Sequence, residues 1–265
     1  MTAAAPQPLL RPSDNHPTFP QPTNRHVSVW RYLNVPHAFD LLKNRRLWMS
    51  RADHLGDPCE GTRPSGDAQI YRAAEQVIMS QTTDPSLANS YLAEVRGSWR
   101  HMDSTLRERM FISCWTLGDH DDMAMWERYC RPKEAGIAIQ TTYAKLDASL
   151  PIQVYNGRWV MMGLVTYGDY DSLDFRSDPA NAYSAYMLKK VQYRSEHEIR
   201  IVCDMFRSSS GGIVVPVNVE MLVEKMVFSP YAKTPLVNGV ERAIRDLGYT
   251  FPISRSSTFN VSKPY

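Results

Sequence analysis

Three strand-length runs crowd into one short stretch of this chain: AGIAIQTT (135–142), PIQVYN (151–156) and WVMMGLVTY (159–167). A parallel pair needs a crossover of a dozen or more residues, and the gaps here are shorter, so neighbouring runs are expected to pair antiparallel. Further runs that are rich in β-branched and aromatic residues read as strands: VSVWRYL (27–33), RRLWMS (45–50), RMFISCWT (109–116), VQYRSEHEIRIV (191–202), GIVVPVNV, EKMVFSP and YTFPISRSS. Helices are expected between them. Pro36 opens PHAFDLLKN, Asp121 or Asp122 caps a turn carrying Met125, Trp126 and Tyr129, NAYSAYMLKK (181–190) reads as helical, and Thr234 with Pro235 opens a last helix that ends at Gly248. Residues 67–106 hold a helical pair. Its expected packing faces are Ile70, Ala73, Ala74, Val77 and Ile78, then Leu87, Tyr91, Val95, Trp99, Met102 and Leu106, with Asp84 as the second N-cap. The expectation is an α+β fold of mixed, largely antiparallel sheets with an inserted helical pair, not a doubly wound parallel sheet.

Composition bounds the function. Of 265 residues, 43% are apolar and 22% charged, an ordinary globular balance. A net charge of +2 is too mild to argue by itself for nucleic acid or an anionic membrane. No apolar run reaches the length of a membrane span, and the N-terminus has no basic stretch followed by an apolar one, so no membrane partner and no secretory signal are expected. Six prolines within the first 22 residues mark residues 1–26 as a disordered leader ahead of a single domain, 27–265. Cys59, Cys114, Cys130 and Cys203 show neither a CxxC pair nor a zinc spacing, which fits reduced thiols in the cytoplasm. There is no GxGxxG and no GxxxxGK[ST], so nucleotide sites of those kinds are unsupported.

The chemistry centres on SEHEIR. In a strand, Glu196, Glu198 and Arg200 share one face, while His197, Ile199, Ile201 and Cys203 share the other and suit a core. Two carboxylates about 7 Å apart can address two points of one substrate, one stabilising a cationic transition state and the other orienting a nucleophile. A strand with one solvated face also satisfies the pattern. Cys114 with His120 or His197 as a thiol–base pair lacks a local signature and reads instead as a small inward hydrophobe. Asp57, Glu60, Asp121 and Asp122 read first as turn and cap residues, with a carboxylate metal site as the rival, and Glu60 is placed to reach back into a cleft. Met125, Trp126 and Tyr129 read as core, and KNRR (43–46) as a solvated helix end rather than a phosphate contact.

The order WRY, LWMS, DPCEG, CW, MWERY and YRSEHEIR over residues 28–230 resembles a widespread bacterial family classed as a domain of unknown function. More distantly, Arg31 in VWRYL, Ser50 in LWMS and the Glu196–Glu198 pair resemble the arginine–serine–glutamate ADP-ribosyltransferases. That resemblance implies an NAD cleft between two antiparallel sheets. Arg31 would pair with a phosphate, Ser50 would lie near the nicotinamide ribose, Glu198 would stabilise the oxocarbenium-like charge, Glu196 would position or deprotonate the acceptor, and Tyr32 or Tyr193 would stack on the nicotinamide. The match is incomplete, because only Ser50 stands where the family has Ser-Thr-Ser, and Ser113 is a rival for its role. NAD is then the co-substrate, with protein, nucleic acid or water as acceptor. The likeness suggests a toxin or defence effector with a neutralising partner protein. The alternative is a non-catalytic binding or sensor module that kept the fold.

Overall fold

The computed structural model describes residues 11–130, 135–154, 157–178, 181–205 and 210–258. Its strands are β1 (Ser28–Asn34), β2 (Arg46–Arg51), β3 (Met110–Leu117), β4 (Gly136–Thr142), β5 (Gln153–Val154), β6 (Arg158–Trp159), β7 (Met161–Leu164), β8 (Thr166–Gly168), β9 (Leu188–Lys190), β10 (Glu198–Asp204), β11 (Gly212–Pro216), β12 (Lys225–Phe228) and β13 (Ile253–Arg255). The helices are α1 (Val35–Asn44), α2 (Asp67–Gln81), α3 (Pro85–Arg109), α4 (Met123–Tyr129), α5 (Tyr143–Ser149), α6 (Val219–Leu222) and α7 (Thr234–Asp246). The class is α+β. The main sheet runs β11-β2-β3-β1-β4-β12-β13, with β10 on β3 and β7 on β10, and every pair except β12–β13 is antiparallel.

Strand alternation gives this sheet two different faces. Val29, Met49, Phe111, Trp115, Ile139, Ile199 and Ile201 point to the main core, where α1, α5, α6 and α7 deliver Leu42, Leu146, Leu222 and Ile244. On the opposite face two smaller cores sit apart. One gathers Trp30, Tyr32, Met125 and Trp126, and the other gathers Phe19, Ile112, Tyr186 and Val202. Thr116 of β3 and Glu198 and Arg200 of β10 lie on this second face.

The sheet also splits. One edge of β3 pairs with β10 along its whole length. Its other edge is shared, β2 pairing at Phe111 and Ile112 and β1 at Thr116 and Leu117. The strands β1 and β2 therefore diverge and leave the Ser113–Trp115 stretch of that edge without a strand partner.

Several expectations change. Of the leader, residues 1–10 lie outside the described residues, but 11–26 is docked rather than disordered. The buried Arg11 guanidinium holds Asp147 and donates to the carbonyls of Asp147, Leu150, Pro151 and Val160. Phe19 is 1% exposed and crosses over Gly163, where a Cβ would stand 2.7 Å from its Cα. Proline-rich composition signals a lack of regular structure, and here charge pairing and one aromatic anchor offset the ordering entropy. The run at 159–167 breaks into β6, β7 and β8, the first pairing with β5 and the last running parallel to β9. The helix expected at 181–190 is a short 3-10 turn, Ser184–Met187, followed by β9. The start of VQYRSEHEIRIV is likewise a 3-10 turn, Val191–Glu196, ended by His197 at φ 41°. His197 is consequently exposed rather than in the core, while Ile199, Ile201 and Cys203 are buried as the alternation requires.

The helical pair exists, and Asp84 caps α3 through Ser86 and Leu87 N–H. Its expected stripe is kept only in part: Leu106 packs against the core of Phe19 and Trp99 meets Tyr71 of α2, but Leu87, Tyr91 and Met102 are exposed, and Ala88 and Leu92 are the buried residues of α3. Among the described residues, no helix is long and apolar enough to cross a membrane.

Candidate functional site

The face between the two smaller cores is a cleft with two adjoining compartments. The first, about 290 Å³, is lined by Asp57, Glu60, Arg128, Lys189, Glu196, Glu198 and Arg200, together with Tyr193. The second, about 320 Å³, holds Arg31, Tyr32, Trp48, Ser50 and Thr116. Leu55, Cys114 and Tyr129 line both. Motifs scattered from residue 30 to residue 200 thus meet at one place.

Register explains the placement. Glu198 stands opposite Thr116 and Arg200 opposite Cys114, so all four side chains share the cleft face. Glu196 precedes the strand, and the left-handed turn at His197 returns it to the same side, where Lys189 reaches both acids. Glu60 arrives from the DPCEG loop, whose Asp57 carboxylate accepts from Cys59 N–H.

Arg200 is the centre of a buried charge network. All five guanidinium donors are used. Two go to the Glu60 carboxylate at 2.5 and 2.8 Å, two to Glu198 at 2.9 and 3.3 Å, and one to the Tyr186 carbonyl at 2.5 Å. Lys189 Nζ donates to Glu196 at 2.7 Å and Glu198 at 2.9 Å, and Arg128 donates to Glu196 from the rim. Three acids (Glu60, Glu196, Glu198) thus meet three bases (Arg128, Lys189, Arg200) and the charges cancel. Such compensation is what allows Glu198 and Arg200 to be 3% and 0% exposed.

The acids are not equivalent. Burial pushes the Glu198 carboxyl upward, but Arg200 and Lys189, with bonds from Arg200 and the Cys114 thiol, outweigh it and hold the group at about 2. Glu60 goes the other way, raised first by burial and then by the neighbouring Glu198 charge. Glu198 is therefore a fixed anion at neutral pH. Burial, reinforced by Glu198, raises Cys114, so its thiol is a hydrogen-bond donor rather than a ready nucleophile.

Arg31 occupies the split in the sheet. It donates to the Cys114 carbonyl at 3.0 Å, the Trp48 carbonyl at 3.2 Å and the Ser113 hydroxyl, bridging the edges that β1 and β2 leave apart. Its Nε is buried without a partner, and burial lowers its pKa. Ser113 lies on the core side of β3 beneath Arg31, whereas Ser50 lies in the aromatic compartment and accepts from the Trp48 indole at 3.1 Å. Tyr32 is 5% exposed, meets Trp126 edge-on, and accepts from Asp122 N–H, so its ring belongs to the wall. The Tyr193 ring lies under Lys189 and Arg128, at 4.9 and 5.6 Å.

The structure thus brings Glu196, Glu198 and Tyr193 into one compartment and Arg31, Ser50 and Tyr32 into its neighbour. His120 and His197 are exposed. Asp122 caps α4 and Asp121 accepts from Trp126 Nε1. Arg45 and Arg46 of KNRR pair with Glu220 and Asp40. Sequence reasoning missed Lys189, Arg128 and Trp48, and it took Tyr129 and Cys114 for core. Tyr129 is 44% exposed, and Cys114 faces the cleft because it shares the parity of Ile112 and Thr116. The available signal for Lys189 was KK directly ahead of the VQYRSEHEIR run.

Comparison with protein-family models finds no match, and comparison with curated proteins finds none either.

Proposed function

We propose that this cleft consumes NAD in the manner of an ADP-ribosyltransferase, passing the ADP-ribosyl group to an acceptor or to water. The observation that supports this best is Glu198. It is a buried, permanently ionised carboxylate, held in one orientation by Arg200 and Lys189, and its thiol partner Cys114 stands on the boundary between a charged compartment and an aromatic one. A fixed anion cannot donate a proton at neutral pH, but it can stabilise positive charge that develops on a ribose carbon without reorganising. In the proposed step the bond between ribose C1′ and nicotinamide breaks, and nicotinamide leaves with the electron pair. The acceptor then attacks C1′ and gives its proton to Glu196. The transferase-like fold belongs to this same reading, and the split sheet with its cleft supports it.

The test is release of nicotinamide from NAD by the full chain. Glu198→Gln is expected to lower that rate by at least about 10²-fold, the usual cost of removing one preorganised charge-stabilising group. Release at the wild-type rate by this variant ends the catalytic assignment. The closure of Glu198 by two cations favours a second reading, a binding module in which the network is scaffold. NAD binding without nicotinamide release from the wild type would establish that reading instead.

A further inference from the structure

We infer that the aromatic compartment is a preformed stacking site for a flat heterocycle of nucleobase type, and that Trp48 is its fixed wall. This deepens the proposed function and depends on it for the ligand class. Two large rings, Trp48 and Tyr129, are 38% and 44% exposed where they line the same concavity. An exposed tryptophan is ordinarily free to change rotamer, and this one is held. Its Nε1 donates to Ser50 Oγ at 3.1 Å, two residues along the same strand. On β11, Val214 stands opposite Trp48 and Gly212 opposite Ser50. A Cβ on Gly212 would fall 2.2 Å from the six-membered ring of Trp48 and 2.5 Å from the Met49 carbonyl oxygen, so the indole lies across a position that only glycine leaves free. A ring held in advance binds a flat partner with little further loss of rotamer entropy.

The lining matches such a ligand. Among the described residues no Asp, Glu or Lys faces this compartment and its one arginine, Arg31, directs Nη1 and Nη2 to Ser113 and to the Cys114 and Trp48 carbonyls, whereas the adjoining compartment is crowded with charges. Thr116, Ser50 and Asn34 offer neutral hydrogen-bonding groups for a ring's edge. A molecule with a flat ring at one end and a polar, charged body therefore finds its two halves matched by two connected spaces. Nicotinamide and adenine share this chemistry.

The experiment uses the full chain with two probes, nicotinamide mononucleotide and AMP, each titrated by calorimetry. Wild type is expected to bind one of them saturably, and its identity decides which ring occupies the compartment. Trp48→Ala is expected to weaken that binding about tenfold or more, in line with the worth of one aromatic–base stack. Gly212→Ala, whose Cβ would press on the Trp48 ring and on the Met49 carbonyl, is expected to weaken it to a smaller extent. In saturation-transfer NMR on the wild type, the ring protons of the bound probe should receive more saturation than its ribose protons. Binding of neither probe, equal affinity in Trp48→Ala, or saturation centred on the ribose would each overturn the inference. Ring binding without nicotinamide release from NAD leaves the stacking site standing and removes only the catalytic reading. Nicotinamide release with no effect of Trp48→Ala on affinity does the reverse.

Discussion

Arg200 shows what a single residue decides here. Its guanidinium is fully buried and spends every donor on Glu60, Glu198 and one carbonyl. Replacing it strips Glu60 of its cation and leaves Glu198 with Lys189 alone, two buried carboxylates facing each other. Arg200→Met is expected to destabilise the fold by roughly 3–5 kcal/mol, measured by urea denaturation. A variant as stable as wild type would show that the network does not hold in solution. The alternation of SEHEIR placed Glu198 and Arg200 on one face and their apolar neighbours on the other, and the structure keeps that division. The sequence could not show that the arginine answers Glu60, which lies 140 residues away, because pairing across that distance depends on how the DPCEG loop packs.

At the scale of elements, residues 11–26 and the helical pair depart from expectation for one reason: local composition does not report what an element packs against. Proline density removes helix and strand, yet Arg11 ties its segment to α5 and to the stretch between β5 and β7 through Asp147 and four carbonyls. Arg11→Met is expected to lower stability by roughly 3–5 kcal/mol, because it leaves Asp147 with Arg25 alone and strips those buried carbonyls of their donor. It should also open residues 11–26 to limited proteolysis ahead of the rest of the chain. Resistance equal to wild type would show that Phe19 and the contacts of Gln21 and Arg25 hold the segment without Arg11. In α3 the apolar period is real, but Leu87, Tyr91 and Met102 face outward, while the helix meets its neighbours through Ala88, Leu92, Trp99 and Leu106. Periodicity finds the helix and its cap. It does not say which face has a partner.

For the whole molecule the charge network sets the acid limit. The Glu198 carboxyl falls from its ordinary 4.5 to about 2 in the fold. Its contribution, on the order of 3 kcal/mol, is present above pH 4.5 and is lost as pH falls toward 2. Glu60 has the opposite sign: raised above its ordinary value, it takes up a proton more readily in the folded chain and so offsets part of that loss. Thermal midpoints measured between pH 5 and pH 2 should therefore fall less steeply in Glu198→Gln than in wild type, and more steeply in Glu60→Gln. Parallel curves for all three proteins would contradict the assigned shifts.

Short-range pattern alone determined most of the longer strands and helices, the cap of α3, and that Glu198 and Arg200 share a face, because these follow from backbone periodicity and neighbouring side chains. Tertiary structure alone decided that the sheet divides between β1 and β2, that Arg31 fills the gap, that Lys189 and Trp48 belong to the cleft, and that Glu60 answers Arg200 there. Those outcomes depend on contacts between residues far apart in the chain. Burial then turns such contacts into large electrostatic effects, since charges removed from water must find their partners within the protein.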